Sequence, residues 1–410
     1  MRRPPRLCGL RFVAAFALLA AGSTQAQRVT EIPADTEFDR GIGCFSRFCS
    51  ATVTALDGNT AIMTGDGAGV LVRNAAGGWD LQQELRNPDS PPTQYPTRMN
   101  VPAAVSGDVL LLTGTSRVYN FVPVIYVWQR SGTTWTHTQV LALPRAAGFN
   151  ETIIASVQVH QRTAAICSIQ RDTATARIQT QIDLYALQAS GRFQRQAQII
   201  PPVAPQARNR CTLALEGSTL LVADPLANQE SGRVLLYERG SSGWTLRRQL
   251  TAADSSPGAR FGTSIDISGN TIVAGAPQRP NFDRPLHPGA AYVLRRTAST
   301  WAQVQLLVKP EEMDEPAPDE SESSFGESIA VSEDRLVASW NLSDSSLSRA
   351  YLYERRGVWA PVAQLFTYEG LVSVDVLLSG PIAIQTMNVM VSFDHELPEL
   401  WTLPPRVSDP

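Results

Sequence analysis

A tight turn followed, about twenty to thirty residues later, by an aromatic residue recurs seven times along this 410-residue chain. The turns fall at Gly58, Gly107, Gln161, Gly217, Gly269, Glu333 and Gly380. The aromatics fall at Trp79, Trp135, Phe193, Trp244, Trp301, Trp359 and Trp401. Neighbouring turns are 47 to 64 residues apart and neighbouring aromatics 42 to 58. Two markers sharing one period mean one structural unit copied along the molecule. Short β runs repeating at this period make propeller blades of about four strands. The expectation is an all-β fold: a seven-bladed β-propeller of four-stranded antiparallel blades, with residues 27–410 forming a single domain.

Blade five shows the unit best. Ile265 and Ile267 alternate with polar residues, as a strand with one wetter face does. Gly269-Asn270 is a two-residue turn whose positive backbone angles these residues tolerate. Ile272, Val273 and Ala274 run apolar without alternation, the pattern of a strand covered on both faces. Tyr292, Val293 and Leu294 form a third strand, and Trp301 opens the fourth. In the outermost strands, Trp79, Leu81 and Leu85 are expected to share one face, as are Trp244, Leu246 and Leu250. Their polar neighbours Gln82, Glu84, Arg247 and Gln249 then face water. One aromatic at one position in every copy points to packing between blades rather than sugar stacking.

Phe261-Gly262 through Gly275-Ala-Pro277, followed by the Gly289-Ala-Ala-Tyr292 strand and Trp301, resembles the bacterial FG-GAP repeat, related to the propeller of integrin α chains. Blade six keeps Phe325-Gly326, Tyr351, Tyr353 and Trp359, and blade four keeps Gly217, Asp224-Pro225, Tyr237 and Trp244. Blades one, two, three and seven keep the turn, the strands and an aromatic without those letters. The resemblance implies a seven-bladed propeller used for binding or adhesion. Integrin-type repeats often carry calcium between the first two strands. Here that connection is a bare turn with at most one acid, too few oxygens for calcium. No metal or other cofactor is expected.

The chain begins with Arg2, Arg3 and Arg6, an apolar run from Leu10 to Gly22 and a Thr24-Gln25-Ala26 cleavage site. Residues 1–26 therefore read as a signal peptide, too short in its apolar part to span a bilayer. Its removal takes four arginines and shifts the net charge from −3 to −7. Seven acids lie in one segment, Glu311 to Glu322, read as extended and solvated. The remainder is near neutral, which argues against a nucleic-acid partner. A secreted or periplasmic location without a membrane span follows, and a monomer is expected.

Export and an even count of mature cysteines favour disulfides. Cys167, at the end of the second strand of blade three, is expected to reach Cys211, at the start of the first strand of blade four. Cys44 and Cys49 make the second pair. Residues 28–33 are expected to pair as an outer strand of blade seven and close the ring.

The connections divide into two faces. First-to-second and third-to-fourth links are mostly tight turns opening on one face. The second-to-third links (Asp224 to Gly232, Pro277 to Gly289, Asn341 to Ser348) open on the other. So do the long links between blades (Arg86 to Met99, Pro201 to Arg210, Lys309 to Ser324). Binding residues favour loops displayed by a rigid scaffold. The candidate positions on the long-loop face are Arg279, Asp283, Arg284 and His287 in one loop, and Asp224, Asn228 and Glu230 in another. The ligand class is an unknown protein or glycan. Catalytic constellations are absent: His137, His160, His287 and His395 lie on different blades, and neither a nucleophile elbow nor a phosphate loop appears. A channel-sited hydrolase or lyase would need axial carboxylates, and a structural subunit of a surface complex would need an apolar outer rim. A non-catalytic, exported binding propeller is the leading expectation.

Overall fold

The structure, a computed structural model, describes residues 27–28, 52–64, 68–75, 78–89, 102–116, 118–119, 122–203, 211–278, 289–298, 300–310, 323–342, 347–369, 372–379, 382–389 and 400–402. The first strand, β1, is Gln27–Arg28. Blade 1 is β2 to β5, Thr52–Asp57, Thr60–Thr64, Ala68–Arg73 and Trp79–Leu85. Blade 2 is β6 to β9, Ala103–Ser106, Val109–Ser116, Val122–Ser131 and Thr134–Ala142. Blade 3 is β10 to β13, Glu151–His160, Thr163–Asp172, Arg177–Leu187 and Phe193–Ile199. Blade 4 is β14 to β17, Leu213–Glu216, Thr219–Asp224, Arg233–Gly240 and Gly243–Leu250. Blade 5 is β18 to β21, Ile265–Ser268, Thr271–Ala276, Ala290–Arg296 and Trp301–Leu307. Blade 6 is β22 to β25, Ser323–Ser332, Arg335–Leu342, Leu347–Arg356 and Val358–Glu369. The last strands are β26, β27 and β28, Val372–Ser379, Ile382–Val389 and Leu400–Thr402.

The expected seven-bladed propeller is corrected here: the structure has six blades. Six blades are each made of four consecutive antiparallel strands, whereas the remaining sheet runs β1-β28-β27-β26 and is assembled from both ends of the described chain. Trp401 lies on its third strand, opposite Arg28 and Ala383, and is not the counterpart of the outer-strand aromatics. The turn–aromatic count treated it as one because spacing alone cannot tell a third strand from a fourth. The outermost place is taken by Gln27–Arg28. Of the stretch 28–33, Arg28 is paired there, and 29–33 lie outside the described residues. This sheet packs Leu377 against blade 1 and Val376 and Leu378 against blade 6, closing the ring.

Within each blade the first turn is the same device. Its leading residue is left-handed in all six, with φ between 53° and 57° at Gly58, Gly107, Gln161, Gly217, Gly269 and Glu333. Glycine occupies four of these places because a Cβ there crowds the backbone. The second strands are buried throughout in blades 1, 4 and 5. Each seam between blades is filled by one apolar cluster, and the outer-strand aromatic faces the preceding blade.

One expectation about the outer strands fails. Every outer strand of the six blades has a bulge three residues after its aromatic, so the strand's parity flips there. Trp79 and Leu81 face the closing-sheet seam while Leu85 turns to blade 2, and Leu246 is left exposed while Leu250 packs against blade 5.

Candidate binding face

The described part of the long-loop face includes residues 224–232. Asp224 ends β15 fully buried and is ion-paired with Arg233 at 2.9 Å, so it is an anchor and not a presented group. The chain then makes a left-handed turn through three non-glycine residues, Asn228, Gln229 and Glu230, with φ of 52°, 60° and 62°. Such backbone costs about 1–2 kcal/mol per residue and persists only where its surroundings over-determine it. Those surroundings are visible. Gly258, Arg260 and Phe261 donate backbone hydrogen bonds to the carbonyls of Gln229, Glu230 and Ser231. Glu230 Oε2 receives both Nε and Nη2 of Arg260, at 2.8 and 2.6 Å. The result is a rigid clip that leaves the Asn228 and Gln229 side chains exposed.

Asp224, Asn228 and Glu230 are thus brought into one loop with three different roles: anchor, exposed tip and clamp. Arg279, Asp283, Arg284 and His287 lie outside the described residues, as do the acidic segment 311–322, Cys44 and Cys49. Cys167 and Cys211 form a disulfide with Cα atoms 6.3 Å apart. Cys167 sits inside β11, five residues before its end, and not at the strand terminus expected from sequence. Among the described residues, no helix is long and apolar enough to cross a membrane. Nor do three His, Cys, Asp or Glu side chains converge as metal ligands among them. Asn341, which opens an Asn-Leu-Ser343 glycosylation sequon, is buried and donates its amide to Glu327.

At the axis, sequence reasoning missed a ring of blade-to-blade hydrogen bonds on the tight-turn face. In blades 1 to 5 the last residue of the innermost strand accepts the N–H of the next blade's turn. Asp57 takes Gly107, Ser106 takes Gln161, His160 takes Gly217, Glu216 takes Gly269, and Ser268 takes Glu333. Ser379 of the closing sheet takes Gly58. The inner edge of each sheet carries unpaired N–H groups, and a neighbour's side chain is what satisfies them. Asp266 repeats the move one pair deeper, accepting Val331 N–H at 2.7 Å and Ile267 N–H at 2.8 Å. Burial, with Glu216 repelling, outweighs these bonds and pushes its carboxyl up to about 7. The available signal was a polar residue immediately before every turn.

The outer rim has a stitch of its own. Gln83, Gln139 and Gln305, each four residues after an outer aromatic, pair both amide ends with the backbone of the next blade's aromatic. The long-loop end of blades 4 to 6 has a third. Gly232 and Gly289 lie against the backbones of Phe261 and Phe325 in parallel bridges. A Cβ on Gly275 would sit 1.9 Å from the Gly326 carbonyl oxygen. The letters of the Phe-Gly and Gly-Ala-Pro motifs are therefore points where two blades touch backbone to backbone.

Residues 244–294, from the outer strand of blade 4 to the third strand of blade 5, match the FG-GAP repeat. The chain is a β-propeller carrying an FG-GAP repeat. No curated protein matches this chain. Among solved structures, it is similar to the β-propeller domain of the Trilobed protease from Pyrococcus furiosus, with TM-score 0.49 and 11% identity over 87% of this chain and 94% of that one. It is similar to the Pyrococcus horikoshii acylaminoacyl peptidase, with TM-score 0.47 and 10% identity over 87% of this chain and 51% of that one. A third likeness is to the periplasmic gluconolactonase of Pseudomonas aeruginosa, with TM-score 0.45 and 13% identity over 76% of this chain and 83% of that one. These likenesses carry no functional argument.

Proposed function

We infer that this FG-GAP propeller is an exported, non-catalytic binding or adhesion module. Its mature chain begins at Gln27 as a single monomeric domain that engages a protein or glycan through the long-loop face. The observation behind this reading is the clip at 228–232. Three strained non-glycine residues are locked by an ion pair and three backbone bonds, and the tip they display is polar and exposed. Strain of this kind gathers at ligand clamps, and a preorganised tip loses little entropy on binding. The buried Cys167–Cys211 bridge suits an oxidising compartment.

The hydrolase alternative has weaker support. The axial carboxylates of Asp57, Glu216 and Asp266 are each engaged by backbone N–H groups. The exposed outer-strand Leu246, Val304 and Val358 stand one per blade, so they do not argue for a structural subunit.

The test is binding of the mature protein to a glycan array and to extracellular protein baits. Shortening loops 277–289 or 309–324, or the pair Asn228→Ala/Gln229→Ala, should remove the interaction while circular dichroism stays native. Unchanged binding in all three variants, or turnover of a glycan, ester or phosphate that depends on the axial carboxylates, would show the reading to be wrong.

A further inference from the structure

The seam between blades 3 and 4 is fastened unlike its neighbours. At the outer rim Ala197, like Arg248 of blade 4 and Ala363 of blade 6, stands where Gln83, Gln139 and Gln305 hold other seams, so among the described residues no side-chain amide reaches the backbone of Trp244. Trp244 itself is only half-buried, while the other five outer aromatics of the six blades are buried. Between the rims the contact is apolar, and Ile153, Ile178, Ile199 and Val203 are only partly covered. Besides Arg233 Nη2, which donates to the Pro202 carbonyl at the long-loop end, two fixed points remain. The Cys167–Cys211 bridge holds the long-loop end, and His160 Nδ1 accepting Gly217 N–H at 3.0 Å holds the tight-turn end.

The second point depends on protonation in a way no other link of the axial ring does. A backbone N–H can only donate, so Nδ1 must be unprotonated and the proton of the neutral ring sits on Nε2. A carboxylate that gains a proton keeps an acceptor oxygen, and a serine hydroxyl does not titrate. A protonated imidazole has no acceptor, and its new N–H would face the N–H of Gly217. Histidine is the side chain whose ordinary charge change falls between pH 5 and 8. Of the charged groups by the flanking turns, Arg162 donates to Leu187 O, Asp108 pairs with Arg130 and Glu216 accepts Gly269 N–H, while Arg239 lies beside the 217–219 turn with its backbone N–H on Ser218 O.

We propose that the seam between blades 3 and 4 is an acid-opened joint of the ring, hinged at the Cys167–Cys211 bridge and latched by His160 on Gly217. Acid releases the tight-turn end while the bridge keeps the blades together, so the ring loosens locally without coming apart. The proposal is independent of the ligand-binding reading.

Hydrogen exchange on the full mature chain tests it, with rates corrected for the intrinsic effect of pH. Between about pH 8 and about pH 5, protection of the 217–219 turn should fall roughly tenfold, the loss of one hydrogen bond and its replacement by a donor–donor contact. The turns at Gly107 and Gly269 should change little. His160→Gln supplies an acceptor oxygen that does not titrate, and it should abolish the fall. Ser106→Ala, a control at the seam between blades 2 and 3, should loosen Gln161 equally at both pH values. Equal loss at all turns, a fall that survives His160→Gln, or no change at 217–219 would each overturn the proposal. If His160→Gln fails to fold, the chemical shifts of the His160 ring and the Gly217 amide in the parent must titrate together, and independent titration overturns it.

Discussion

The seam between blades 5 and 6 and the seam between blades 3 and 4 meet the same contact with opposite chemistry. Gly275 and Cys167 both lie six residues after the left-handed residue that opens their blade's first turn. At that point the second strand of one blade comes nearest to the first strand of the next. Between blades 5 and 6 both partners are glycine, and the backbone of Gly275 lies directly against Gly326, with Ser264 Oγ donating to Gly326 O at 2.7 Å. Between blades 3 and 4 the pair is Cys167 and Cys211, joined by a covalent bond. These two seams are fastened at the same place by different chemistry, and the FG-GAP letters are one way to make that contact.

The comparison breaks most visibly at Gly275. Gly275→Ala should destabilise the fold by about 3 kcal/mol or more, since its Cβ would meet a backbone carbonyl at 1.9 Å that cannot rotate away. Gly217→Ala, at a turn with open space around it, should cost only about 1 kcal/mol through its positive φ. Chemical denaturation of the two variants measures the gap, and equal losses would mean that the motif glycines are not seam contacts.

A smaller effect separates the seams by pH. Asp266 lies in the seam between blades 5 and 6, and its carboxyl is raised to about 7 by burial. A raised carboxyl favours the protonated folded state. That stabilisation is fully present below the ordinary carboxylate range and is lost as pH rises through about 7. Asp266→Asn keeps an acceptor oxygen and removes the charge. It should stabilise by about 2 kcal/mol at about pH 8, with the gain shrinking towards about pH 4. Thermal melts across that range check both sign and slope. The acid response therefore differs by seam: blades 5 and 6 tighten as pH falls, whereas blades 3 and 4 loosen.

The smallest predicted effect sharpens the comparison at the outer rim. Gln305→Ala removes two hydrogen bonds to the Trp359 backbone and should cost about 1–2 kcal/mol. Ala197→Gln should add the missing stitch between blades 3 and 4 and raise stability by up to about 1 kcal/mol. Both are read from denaturation midpoints.

Much of the scaffold was legible before any coordinates. The innermost and second strands of blade 5, the shared turn and the packing role of the outer aromatics follow from period, parity and turn residues. The outer strands were not, because the bulge at Gln82 and its five counterparts has no compositional mark, yet it reverses which neighbours are buried. The candidate site was half legible. Asp224, Asn228 and Glu230 were chosen as polar loop residues, but only their contacts separate the buried anchor from the exposed tip. The stitching groups His160, Asp266 and Gln305 passed as ordinary strand polars, since their partners lie about fifty to sixty-five residues away on another blade.

The sequence by itself determined the repeating unit, because strand period and turn chemistry are local and act within a few residues. It also carried the FG-GAP motif and both cysteines of the bridge. That the start of the chain supplies an outer strand of the closing sheet was also expected from sequence, but only tertiary structure decided that Gln27–Arg28 takes that place beside a third strand carrying Trp401. A ring must pair its last open edge with whatever strand lies nearest in space, and nothing local to Trp401 or Gln27 encodes that meeting. The same holds for each seam. Which side chain fastens two blades depends on how close their backbones come, a distance set by the whole ring.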